Sequence, residues 1–206
     1  MPMQELRSKD CQRLHSAANH GLMAAGGQLG MSMEFVQIPA GERLQGLAPV
    51  ADGRTRALVL GSFPSVRSLQ LQQYYAHPQN QFWRLLQALW PQHVQPPIGD
   101  YAGRCEWLLA RGLGLWDVYA SCERAGSLDS AIRAAEANDF AGLRQQCPQL
   151  KLALHNGGES YKHARQTEAL GLVAVKLPST SPANASWSFE KKLQAWREAL
   201  TAHGLL

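Results

Sequence analysis

Four short apolar runs, each ending in small or polar residues, constrain this chain more than any other feature. They occupy 57–60, 113–118, 150–154 and 172–177. Each has the length of a buried strand and is too short for a buried helix. Between and around them lie stretches with helical spacing: Phe82, Leu85, Leu86 and Leu89 form one stripe, and 101–111, 140–147, 161–170 and 189–200 carry four more. Strands alternating with helices imply a three-layer α/β/α domain around a central, mostly parallel four-stranded sheet. Ligands of such sheets sit beyond the carboxyl ends of the strands. The exits are Gly61, Ser62 and Pro64; Asp117 and Tyr119; His155, Asn156 and Gly157; and Ser179, Thr180 and Ser181. All four are therefore expected to converge on one cleft.

The first exit runs into the densest chemistry of the chain. Residues 58–83, LVLGSFPSVRSLQLQQYYAHPQNQFW, pass through a Gly/Ser/Pro turn into a loop holding Tyr74, Tyr75, His77, Asn80, Phe82 and Trp83. A core needs only apolar periodicity. Aromatic faces beside amide groups suit a planar ligand, stacked on one face and hydrogen-bonded at its edge, and a base or similar heterocycle fits. At the last exit, PSTSPAN (178–184) sets hydroxyls and backbone N–H groups on a proline-stiffened loop. That pattern can hold a phosphate, and it is also the composition of an ordinary turn.

A chain of 206 residues with 45% hydrophobic content can bury one large core. The expected organisation is an N-terminal extension over 1–50 and one domain over 51–206. Residues 1–33 are rich in Gly, Ala, Ser, Gln and Met with little periodicity, which reads as a flexible extension or a partly formed helix, with Met31 and Met33 as alternative starts. The formal net charge of +4 and pI near 9.0 agree with a phosphate-coated partner without requiring one. The cysteines at 11, 105, 122 and 147 form no C-x-x-C pair, so reduced thiols, no metal and no cofactor are expected. No apolar run reaches membrane-spanning length, and Glu5, Arg7, Lys9 and Asp10 interrupt any signal-peptide pattern. The expectation is a cytoplasmic monomer without a membrane partner, nucleoid-associated if the source is bacterial. A G-x-S-x-G elbow is absent, which disfavours an α/β hydrolase.

GSFPS at 61–65, YYAHPQNQFW at 74–83 and PSTSPANA at 178–185 resemble, in that order, the hypoxanthine-DNA glycosylases of the uracil-DNA glycosylase superfamily. The likeness continues through GLWDVYASCERAGSLDSAI at 114–132 and LALHNG at 152–157, and covers about 55–200. It implies a uracil-DNA glycosylase-like fold and double-stranded DNA containing a deaminated base as partner. The implied activity is monofunctional base excision, in which a deaminated adenine is flipped out and hydrolysed to free hypoxanthine and an abasic site. Some superfamily members hold an iron–sulfur cluster, which the wide cysteine spacing here speaks against.

Hydrolysis of an N-glycosidic bond needs a positioned water and a stabilised leaving base. Several branches of the superfamily carry Asp or Asn where this chain has Phe63, which cannot orient water. In the hypoxanthine branch the asparagine matching Asn80 is implicated instead, with loop capping as its plain alternative. Phe63 becomes a stacking surface or a residue packed under the strand exit. Asn156 can pair with the base edge, its selectivity depending on neighbours that fix the amide, or it can cap the helix that follows. Tyr75 and His77 are candidate walls of a base pocket or core aromatics. Ser179, Thr180 and Ser181, and with them Ser62 and Ser65, are candidate phosphate contacts. His155 is expected to face away from the site, since strand side chains alternate. Asp117 caps a loop or positions a catalytic group, and sequence favours neither. Two rivals stand beside the leading reading: a uracil or broader deaminated-base glycosylase, and a noncatalytic nucleic-acid-binding module on the same fold.

Overall fold

The protein was analysed as a computed structural model that describes residues 42–206. The readings for residues 1–33, Cys11 and the alternative starts lie outside the described residues.

Strands β2 (Ala57–Gly61), β3 (Leu113–Asp117), β6 (Leu152–Asn156) and β7 (Val173–Leu177) form one sheet in the order β3-β2-β6-β7. Every neighbouring pair is parallel. β2, β3 and β6 are buried along their whole length, which is why each reads as an unbroken apolar run. β7, at the end of the sheet opposite β3, is more exposed. The chain steps from β2 to β3 on one side and then returns across β2 to β6 and β7 on the other. The point of reversal lies between the carboxyl ends of β2 and β6, where parallel sheets open a crevice.

The helices are α1 (Val66–Leu71), α2 (Phe82–Leu89), α3 (Tyr101–Leu109), α4 (Phe140–Gln146), α5 (Gly158–Tyr161), α6 (Ala164–Glu168) and α7 (Phe189–Ala202). Packed on the sheet, they complete the three-layer arrangement expected from the alternation. α2 buries Phe82, Trp83, Leu85, Leu86 and Leu89, and α7 buries Trp196 and Leu200. Each such side chain withdrawn from water is worth about 1.5–3 kcal/mol, so α2 is among the strongest anchors of the fold. The tryptophans expected to pack do so: Trp83, Trp116 and Trp196 are core residues, and Trp90 and Trp107 pack edge to face with the Arg111 guanidinium over Trp107.

Three differences from the sequence reading have physical causes. The helix expected over 161–170 is the shorter α6, with a separate short helix, α5, ahead of it. The buried His155 ring lies within hydrogen-bonding distance of Ser160 on α5 (2.9 Å) and Thr167 on α6 (3.3 Å), pinning both to β6. A second, antiparallel sheet was not expected: β1 (Arg43–Gln45), β4 (Tyr119–Glu123) and β5 (Arg133–Ala137), in the order β1-β4-β5. β5, RAAEA, is exposed throughout and so carries no apolar alternation. Finally, the boundary drawn at residue 50 falls inside the fold. β1 pairs with β4, Leu47 is buried in the core, and Val50 pairs with Leu115 through backbone hydrogen bonds in both directions.

Candidate functional site

The four strand exits meet. A cavity of about 100 Å³ lies between them, walled by Gly61, Phe63, Asp117, Asn156 and the 179–181 loop, with Tyr75 and Asn80 closing another side. Since one water needs about 10–15 Å³, it has room for several. Backbone bonds draw the exits together: Val118 N–H donates to the Gly61 carbonyl (2.9 Å) and Tyr119 N–H to the Ser62 carbonyl (3.1 Å).

Gly61 is required at its position. A Cβ there would fall 2.3 Å from Asp117 Oδ1, and Gly61 and Asp117 are register partners at the ends of β2 and β3. Asp117 is only 4% exposed, and its Oδ2 is buried without a hydrogen-bond partner among the described residues. Burial pushes its carboxyl up to about 7; Arg124 pulls the other way, and Asp129 adds to the rise. Arg124 is itself buried, holds the Pro64 carbonyl through Nη2, and places its guanidinium 5.0 Å from the Phe63 ring centre. It braces the GSFPS turn from behind, a role for which the sequence around Arg124 offers no signal.

Asn156 has every amide hydrogen engaged. Its Oδ1 accepts from Thr180 N–H (2.9 Å), and Nδ2 donates to Tyr75 Oη (3.1 Å) and Thr180 Oγ1 (3.0 Å). Its orientation is thereby fixed by backbone. It does not cap the following helix, whose first residue follows Gly157 with no side-chain cap. Gly157 sits at φ +124° with Ser179 against it, a conformation that excludes larger residues. Tyr75 lies at the wall, its ring stacked on Phe82 at 4.0 Å, and adopts the left-handed φ of 55° that is uncommon outside glycine. Its hydroxyl is raised by burial and stays protonated at neutral pH.

Asn80 stands at the mouth, lining both the cavity and an adjoining groove of about 1040 Å³. Its Oδ1 accepts from Phe82 N–H at 3.0 Å, so the loop-capping contact exists and fixes the amide. One lone pair of that oxygen remains for a further donor. The groove carries Arg67, Arg84 and Arg104, a positively charged approach to the cavity.

The remaining candidates divide. His77 lines the groove and not the cavity; its Nδ1 accepts from Gln79 N–H at 3.2 Å, which removes it as a wall of the pocket. Thr180 is fully buried and directs its polar atoms onto Asn156 and, through its carbonyl, Gln81, so it cannot meet a phosphate; it braces the loop instead. Ser179 and Ser181 form a ridge between the cavity and a second hollow of about 680 Å³ beside Trp187. Ser65 caps α1 by accepting from Ser68 N–H at 3.1 Å. Ser62 donates to Asp129 at 2.5 Å, a carboxylate that would oppose an incoming phosphate. His155 faces away as expected, and burial lowers it to about 4, so it is neutral at physiological pH.

The family model described as the uracil DNA glycosylase superfamily matches residues 49–201. The chain belongs to that superfamily. It is 39% identical over 155 residues to a protein named hypoxanthine DNA glycosylase from Methanosarcina barkeri, covering 75% of this chain and 96% of the relative. A second protein of that name, from Methanosarcina acetivorans, is 36% identical over 159 residues, covering 77% and 98%. The solution structure of a uracil DNA glycosylase candidate from Methanosarcina acetivorans superposes with a TM-score of 0.64 at 34% identity, covering 76% of this chain and 98% of that one. The superfamily match begins at residue 49 and so includes Val50, which bridges to Leu115.

Proposed function

We propose that this chain is a monofunctional DNA glycosylase that takes hypoxanthine out of double-stranded DNA by hydrolysis, leaving an abasic site for base-excision repair. The observation that carries the reading is the polar cavity at the strand exits, in a chain more than a third identical to two hypoxanthine DNA glycosylases. Chemistry on a base in duplex DNA requires the base to leave the stack, and a buried cavity with a cationic groove at its mouth is the receptor such a base needs. The groove arginines attract the backbone, and Ser179 and Ser181 contact phosphate at the ridge.

Inside the cavity Phe63 and Tyr75 offer apolar faces to the ring. Asn156 recognises the base edge through the free lone pair of Oδ1 while Thr180 N–H holds the amide in one orientation, so a flipped amide cannot accommodate adenine's reversed pattern. Asn80 orients the water. An amide oxygen is too weak a base to ionise water in advance, so the water adds after the C1′–N9 bond has loosened and then loses its proton. No lysine acts as a Schiff-base nucleophile, and strand cleavage by β-elimination is not expected.

Single-turnover release from matched duplexes carrying hypoxanthine, uracil, xanthine or no lesion tests the reading, with alkali revealing abasic sites afterwards. Faster release of hypoxanthine than of any other base is the expected result. Uracil released faster would move the chain to the uracil-directed branch, and lesion binding without release would make it a noncatalytic module.

A further inference from the structure

The buried carboxyl of Asp117 lines the cavity, and neither base recognition nor water orientation draws on it. Among the described residues its buried Oδ2 finds no hydrogen-bond partner. A buried acceptor without a partner costs about 1–3 kcal/mol, more if charged, and persists where something offsets it, such as a bound proton or a ligand group. Its place is fixed from both sides: it ends β3, Gly61 has no Cβ to obstruct it, and the Asp117 carbonyl is held by Asn138 Nδ2 at 2.9 Å.

We propose that Asp117 is a further catalytic residue, the general acid that protonates the departing purine. The C1′–N9 bond breaks and its electron pair passes into the purine ring. The Asp117 carboxyl proton moves to a ring nitrogen or the carbonyl oxygen of the base, leaving a carboxylate. Water oriented by Asn80 bonds to C1′, and the proton it releases restores the carboxyl directly or through solvent. A base leaving with an electron pair needs a proton, and an anion in the same wall would oppose its developing negative charge. The acid form therefore assists departure and the carboxylate impedes it.

The surroundings favour the acid. Tyr74 and Tyr75 face Asp117 as neutral phenols, raised by burial, and Asp129 adds a like charge. Among the described residues Arg124 is the one cation acting on it, and no hydrogen bond joins the two. Burial outweighs that attraction and leaves the carboxyl titrating at about 7.

This inference rests on the functional reading above, and one experiment separates the two. Single-turnover hypoxanthine release by the full chain is followed from about pH 5.5 to about pH 8, for the wild type and for Asp117→Asn, together with binding of the same duplex. The wild-type rate is expected to be level on the acid side and to fall toward tenfold per pH unit above about 7. Asp117→Asn is expected to lose that dependence and to run about a hundredfold or more below the acid plateau while binding the duplex as the wild type does. A wild-type rate that rises through the same range, or an Asn variant that keeps the wild-type profile, overturns the assignment of Asp117 and leaves the glycosylase reading standing. No hypoxanthine release by the wild type at any pH overturns the reading itself. The wild-type profile alone decides the matter should the variant fold poorly.

Discussion

Asn80 caps its own loop, and in the proposed reaction the same side chain orients the water. Its oxygen already accepts from Phe82 N–H, so the amide arrives at the cavity mouth with its orientation set. Asn80→Ala is expected to slow base release about a hundredfold through loss of the oriented water, and to cost about 1 kcal/mol of stability through loss of the cap. Asn80→Asp keeps an acceptor at both tasks and should recover the stability. If release by the alanine variant equals the wild type in single turnover, Asn80 is only a cap. Asp117 and Thr180 mark the limit of reading at this scale. Sequence names a carboxyl and a hydroxyl at strand exits, but burial decides that the first is pushed up with one oxygen left without a partner among the described residues and that the second turns onto Asn156.

At the level of elements, the parallel strands were legible because β2, β3 and β6 are buried on both faces and must be apolar throughout. Strands β1, β4 and β5 were not, since RLQ, YASCE and RAAEA lack the alternation that a half-buried sheet imposes. The convergence of the exits followed from topology alone. The braces behind them depend on contacts across the chain that no local pattern records. One such brace begins on α7, where buried Lys192 donates to Gln81 Oε1 at 3.0 Å; Gln81 N–H in turn donates to the Thr180 carbonyl at 3.0 Å, and Thr180 holds Asn156. Lys192→Met, similar in volume, is expected to slow release about tenfold with duplex affinity and unfolding midpoint little changed. Release at the wild-type rate would show that α7 does not set the position of the loop.

The whole domain ties its N-terminal margin to the site. Tyr74 Oη donates to the Leu47 carbonyl at 3.1 Å, so the segment before β2 supports the loop that carries Tyr75 and Asn80. A chain trimmed to start at Ala51 should therefore be less stable than one trimmed to start at Glu42 by at least about 2 kcal/mol, the contribution of one buried leucine, and slower in base release. Equal denaturation midpoints for the two would return the domain boundary to residue 50. The proposed reaction of the domain is the hydrolytic release of hypoxanthine from duplex DNA at the cavity between β2 and β6. The direct measurement is chromatography of the free bases liberated by the full chain from an equimolar mixture of hypoxanthine-, uracil- and xanthine-bearing duplexes. Hypoxanthine as the predominant free base, with strands left intact until alkali is added, is the predicted result; uracil or xanthine in its place, or no free base at all, would contradict the account.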